Sequence, residues 1–160
     1  MPDLNRTIVA AVAGLLLALS AFAAGTTDFS GTWVLNTDKG QNLGMVKAVD
    51  ESIVVTQSAD KLVIDFTSKF MLKTTRRQVS YDLKGGPVPN EGAMGDKAQT
   101  VAKWVNGKLV VTWTSEGAVA GSTTVKTETR WLSADGNEMS VETVRANKPP
   151  MVLVYDKQKK

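Results

Sequence analysis

The stretch AKWVNGKLVVTW (Ala102–Trp113) reads as a complete β-hairpin. Asn106 and Gly107 both tolerate positive φ, which the two central positions of a type I′ turn require, and the twist of that turn matches the strands it joins. The residues on either side must then pair antiparallel. Successive side chains of a strand point to opposite faces, so Leu109, Val111 and Trp113 share one face and meet Thr100, Ala102 and Trp104 across the turn. That face has to be covered.

The same period-two alternation, rich in β-branched and aromatic residues, runs through the chain, with turn signals roughly every ten to twelve residues. Strands are expected near 29–36, 52–58, 61–69, 76–83, 97–105, 108–115, 122–132, 138–145 and 151–157. Turns fall at SADK (Ser58–Lys61), LKGGP (Leu83–Pro87), SADGN (Ser133–Asn137) and NKPP (Asn147–Pro150). Two connections are longer. Thr37–Glu51 contains NLGMVKAV and has room for one helical turn or a flap, and Val88–Asp96 reads as a mobile loop.

Leu62, Ile64 and Phe66 form one apolar face, as do Met139, Val141 and Thr143, and the first strand adds Trp33 and Leu35. On 122–132, Lys126, Glu128 and Arg130 go to the wet side, leaving Val125, Thr127, Thr129 and Trp131 inside. Short links between neighbours favour an up-and-down meander. Curling it shut buries the whole apolar face and removes both edges. The expectation is one all-β domain, an antiparallel up-and-down barrel of about eight to nine strands.

Residues 1–24 read as a secretory signal: Arg6, then the apolar run IVAAVAGLLLALSAFAA (Ile8–Ala24), with small residues at Ala21 and Ala23 suiting cleavage after Ala23 or Ala24. The run is at the lower edge for a spanning helix, so no membrane span is expected in the mature chain, residues 25–160. Export to the periplasm or the medium follows. With no cysteine there are no disulfides, and stability must come from packing and strand pairing. The net charge of +3 is scattered. Its densest patch, KFMLKTTRR (Lys69–Arg77), lacks interleaved aromatic residues for base stacking, so no nucleic-acid partner is expected.

Within DFSGTWVLN (Asp28–Asn36), Trp33 is a large rigid ring on the inner face where a barrel needs a plug, and Gly31 lets the backbone approach its neighbours closely. A buried indole needs an acceptor and often a cation over its face, for which Arg130 and Arg145 are the candidates. Gly31-x-Trp33 at the head of an antiparallel meander resembles the lipocalin-like (calycin) barrels. FSGTWVLN, AKWVNGKLVV, TRWLSADGNEMSVE and LVYDKQ together resemble secreted bacterial lipocalin-like proteins over nearly the whole mature chain. The resemblance implies a lipocalin-like β-barrel that binds a small molecule. Fatty-acid-binding relatives grip a carboxylate with an Arg-x-Tyr pair on a late strand. Here Leu153 stands two residues before Tyr155, so that clamp does not carry over.

The chain has no histidine and no cysteine, which removes the commonest general base, thiol nucleophiles and most metal ligation schemes. No catalytic residue, cofactor or metal is expected. The nearest acid pairs, Glu138 with Glu142 and Asp50 with Glu51, sit where solvated charges normally sit. The candidate ligand-binding residues are Phe66, Tyr81, Thr100, Trp104, Trp113, Thr127, Thr129 and Trp131: small side chains that leave room beside aromatic walls. The partner they imply is a small apolar or amphipathic ligand. The alternative is a barrel filled by its own side chains, acting as a non-catalytic envelope interaction or inhibitor module through loops such as Val88–Asp96.

Overall fold

A computed structural model describes residues 26–159 of the 160. The leader expected over residues 1–24 lies outside the described residues. The strands are β1 (Gly31–Leu35), β2 (Val49–Gln57), β3 (Lys61–Phe70), β4 (Lys73–Asp82), β5 (Val88–Glu91), β6 (Lys97–Val105), β7 (Lys108–Glu116), β8 (Thr123–Leu132), β9 (Glu138–Arg145) and β10 (Met151–Lys157). A single 3-10 turn, Gly44–Ala48, sits in the β1–β2 connection. All ten strands form one antiparallel sheet in the order β4-β3-β2-β1-β10-β9-β8-β7-β6-β5. It curls into a nearly closed barrel. The count exceeds the expected eight to nine because Val88–Glu91 pairs with β6 instead of remaining a loop: Val88 lies opposite Thr100 and Asn90 opposite Ala98.

The Asn106-Gly107 turn has φ of 49° and 75°, and Trp104 opposes Leu109 and Ala102 opposes Val111, as the hairpin requires. Pairing of β1 with β10 closes the meander where it begins and ends. The one junction without a backbone ladder is between β4 and β5, so the two edges are not removed but brought side by side. There the Asn90 side chain acts as a substitute peptide. Its Oδ1 accepts from the Ser80 amide at 2.9 Å, and its Nδ2 donates to the Ser80 carbonyl at 2.8 Å and to Thr100 Oγ1 at 2.7 Å.

One end of the barrel is sealed. Trp33 is fully buried, and its Nε1 donates to the Phe29 carbonyl at 3.0 Å. Phe29 stacks on Trp104, their rings 6.0 Å apart and 4° from parallel. Gln57 holds this segment by accepting from the Phe29 amide and donating to the Thr27 carbonyl, and Thr27 donates to the Gly107 carbonyl. The cation over Trp33 is Lys157, its Nζ 5.1 Å from the ring centroid, and neither Arg130 nor Arg145. Gly31, at φ 139°, makes this possible: a Cβ there would stand 3.2 Å from the Lys157 side chain. Arg145 is exposed at the far end of β9.

The register corrects the reading of β8. Leu109 lies opposite Arg130, Val111 opposite Glu128 and Trp113 opposite Lys126. Antiparallel partners share a face, so Lys126, Glu128 and Arg130 point into the barrel, while Val125, Thr127, Thr129 and Trp131 point out. Glu51 is likewise on β2, not in a loop, and faces inward opposite Ser68.

Candidate functional site

The lumen has two levels. Around the sealed end, Phe29, Trp33, Ile53, Leu62, Ile64, Tyr81, Leu109, Met139 and Tyr155 are at most 2% exposed and pack into one apolar floor. Toward the opposite, open end, the inward residues become half-buried, the charged Glu51, Arg77, Lys126 and Glu128 lying among the apolar Phe66, Met151 and Leu153.

In this upper lumen each charge has a fixed position. The Arg77 guanidinium carbon sits 3.9 Å above the Phe66 ring centroid, and Lys126 Nζ lies 4.2 Å from that of Trp113 and 3.2 Å from Glu128 Oε1. Glu51 accepts from Tyr155 OH at 2.7 Å and from Ser68 Oγ at 2.5 Å. Burial pushes the Tyr155 phenol well above its ordinary value, and the Glu51 charge adds to this. Tyr155 therefore remains a donor.

Arg130 stands at the boundary between the levels. It is 4% exposed, and Nη1 reaches Met139 Sδ at 3.6 Å, a weak acceptor. Its Nε has no partner, and no carboxylate lies within ion-pair distance of it among the described residues. Trp113, 3% exposed, has an unpartnered Nε1 as well. Tyr81 borders both groups. Its ring meets Trp113 edge to face, 6.1 Å between centroids and 84° apart. Burial drives its phenol far up, the Glu128 charge adds to this, and Arg130 and Arg77 oppose it.

Leaving a buried donor unpaired costs about 1–3 kcal/mol, and more when it is charged. Arginine and indole can only donate. Each of these buried donors lacks an acceptor, and an anionic one suits Arg130 best.

Not all of the expected site residues meet here. Tyr81, Trp113 and Thr100 gather at the boundary, Thr100 opposite Trp113 with its hydroxyl donating to the Val88 carbonyl at 3.0 Å. Phe66 lies on the open side. Trp104 belongs to the floor through its stack on Phe29. Thr127, Thr129 and Trp131 face outward, and Lys108 Nζ lies 4.5 Å from the Trp131 ring centroid. The charged lining, Arg77, Lys126, Glu128 and Glu51, is absent from the expected set, and Arg130 moves from a closure candidate to the centre of the site.

Two hollows flank this lumen. One of about 600 Å³ opens at the β4–β5 seam, bordered among others by Val79, Asn90, Ala98 and Ser115. The other, about 520 Å³, lies outside the floor beside Trp131 and Asp135. Glu138 is engaged with Lys39, and Glu142 faces outward on β9. Among the described residues no three His, Cys, Asp or Glu side chains gather to hold a metal ion, and no helix is long and apolar enough to cross a membrane.

No protein-family model matches the chain, and comparison with curated proteins finds no sequence match. Solved structures do match. The REP1-NXSQ fatty acid transporter superimposes with a TM-score of 0.63 at 15% identity, over 82% of this chain and 96% of that one. Fatty-acid-binding protein 1 of Echinococcus granulosus gives 0.61 at 20% identity, over 82% and 98%. Human cRBP IV gives 0.62 at 17% identity, over 82% and 99%. At these identities the likeness is one of fold, a nearly closed antiparallel β-barrel.

Proposed function

We propose that the open half of the barrel carries a small amphipathic molecule. Its anionic head, a carboxylate being the simplest, accepts hydrogen bonds from Arg130 and Trp113, and its apolar body lies along Phe66, Met151 and Leu153. The observation that carries this reading is the Arg130 Nε, buried, charged and without a partner. A barrel merely filled by its own side chains accounts for the floor but leaves Arg130 Nε and Trp113 Nε1 without acceptors. The likeness in fold to a fatty acid transporter and to a fatty-acid-binding protein supports the same ligand class. Glu138 is bound to Lys39 and Glu142 points out, which supports carriage over catalysis. The signal read over residues 1–24 supports a site of action outside the cytoplasm.

The test is a fluorescence titration with oleate and with oleyl alcohol, Trp113 emission being isolated by subtracting the Trp113→Phe variant. Oleate should give a saturable shift, the alcohol a weaker one, and Arg130→Met should weaken oleate binding at least about tenfold while leaving the alcohol little changed. No saturable response to oleate or retinoate would rule the reading out.

A further inference from the structure

In an up-and-down meander successive connections alternate between the two ends of the barrel. The β1–β2, β3–β4, β5–β6, β7–β8 and β9–β10 connections therefore share the open end, and β2–β3, β4–β5, β6–β7 and β8–β9 the sealed one. The two sets differ sharply in composition. The five most exposed large apolar side chains are Leu72 at 100%, Met94 at 93%, Met45 at 78%, Met71 at 77% and Val119 at 72%, and the next are Val105 and Val125 at 49%. All five project from the connections at the open end. The sealed-end turns are Ser58–Asp60, Leu83–Pro87, Asn106–Gly107 and Ser133–Asn137, and no residue in them is an exposed large apolar one.

Charge follows the same division. Exposed cations flank the apolar tips: Lys69, Lys73 and Arg76 around Met71 and Leu72, Lys47 beside Met45, and Lys97 after Met94. None of them pairs with a carboxylate among the described residues. With Arg145 and Lys148 they outnumber the acids of that end, Asp50, Glu91, Asp96 and Glu116. Toward the other end cations and acids are matched in number, Lys39, Lys61, Lys84, Lys103, Lys108 and Lys157 against Asp28, Asp60, Asp82, Asp135, Glu138 and Asp156, with Lys39 paired to Glu138 and Asp156 and Lys84 to Asp60.

We propose that the open end docks on an anionic lipid surface. Met45, Met71, Leu72, Met94 and Val119 enter the headgroup layer, and the lysines and Arg76 around them face the phosphates. Isolated exposed apolar residues are ordinary, but a ring of them on separate turns at one end, set among unpaired cations, has the composition of an interfacial anchor. Long flexible methionines suit a fluid boundary better than a shaped protein socket. Attraction to anionic headgroups acts through the lysines and is screened by salt. The mouth then faces the layer in which amphipathic molecules dissolve. Docking itself does not depend on what the lumen binds.

Flotation with vesicles tests this, using phosphatidylcholine alone and phosphatidylcholine mixed with phosphatidylglycerol. The wild-type protein should float with the mixed vesicles, less so at high salt, and hardly at all with phosphatidylcholine. Replacing Met71, Leu72 and Met94 by serine should cut partitioning at least about tenfold, and each of Lys69→Gln, Lys73→Gln and Lys97→Gln roughly fivefold. All of these positions are exposed, so the variants should keep the wild-type urea midpoint, and Val105→Ser at the sealed end should bind vesicles like wild type. Arg130→Met should float normally, which separates failure of the ligand reading from failure of this one. No flotation of the wild type at low salt overturns the proposal, whether or not a protein partner uses the tips. A serine triple variant that floats as well as wild type does the same.

Discussion

The floor and the mouth of this barrel are made from the same strands, and they obey opposite rules. Near Trp33 the inward positions are large and apolar, every polar atom of the plug has a partner, and the interior is closed to water. A few residues further along those strands, the inward positions are Arg77, Lys126 and Glu128, stacked on aromatic rings or paired, while at the edge of the floor, opposite Leu109 and Val141, Arg130 is left over. The difference teaches that strand alternation fixes which side chains face in, not whether they are greasy. Closure requires an apolar seal only at one end. The other end is free to carry charge, at a stability cost that only a ligand has a reason to offset.

That division can be broken in several ways. The largest effect should come from the floor. Trp33→Ala should lower stability in urea by about 3–5 kcal/mol, whereas Phe66→Ala, its ring already half exposed beneath Arg77, should cost no more than about 1 kcal/mol. Equal losses would erase the distinction between the two levels. Asn90→Ala should cost about 1–3 kcal/mol and speed hydrogen exchange of the Ser80 amide ahead of its neighbours, since the seam has no ladder to share the load. Arg130→Met sharpens the contrast by moving stability the other way. Replacing a buried charge that no carboxylate neutralises with an apolar chain of similar length should raise ligand-free stability by roughly 1–2 kcal/mol while oleate binding falls; a loss of stability instead would mean that the contacts of Arg130 with Met139 and Tyr81 outweigh the cost of its buried charge.

The smallest effect belongs to the sealed end's rim and depends on pH. Hydrogen bonds from Ser133 and Asn137 hold the Asp135 carboxyl at about 2 instead of 3.8, and bonds from Lys39 and Asn36 lower that of Asp156. A carboxyl depressed in the folded state stabilises above its unfolded value and loses that contribution as pH falls through the folded one. Acid titration of the melting temperature should therefore be flat near neutrality and decline between about pH 4 and pH 2, with a shallower decline in Asp135→Asn.

Much of this architecture is legible in the residues. The Asn106-Gly107 turn fixes β6 and β7, and Gly31-x-Trp33 marks the plug, because both depend on local chemistry. β5 is hidden because it has only four residues, one of them Pro89, and its pairing comes from the neighbour across the turn. The face of β8 is misread for a more instructive reason. Val125, Thr127, Thr129 and Trp131 look more like a core than Lys126, Glu128 and Arg130, and composition alone puts them inside. Yet the answer is present one strand over. The turn SADGN places Leu132 opposite Met139 and Arg130 opposite Val141, so once Met139 and Val141 are assigned inward, the arginine must follow. Register outranks composition wherever a tight turn transmits it. The functional lining is where composition fails, because binding chemistry wants the residues that packing rejects.

The seam stapled by Asn90 has a mechanical consequence for the whole ring. Around most of the circumference, adjacent strands share long ladders, such as the ten registered pairs from Lys61–Asp82 to Phe70–Lys73, and widening any of them means breaking many bonds together. Between β4 and β5 the girth is set by one side-chain amide gripping one residue. A guest too broad for the resting bore would be accommodated by letting out that single buckle, with every other strand keeping its partner and the sealed end undisturbed.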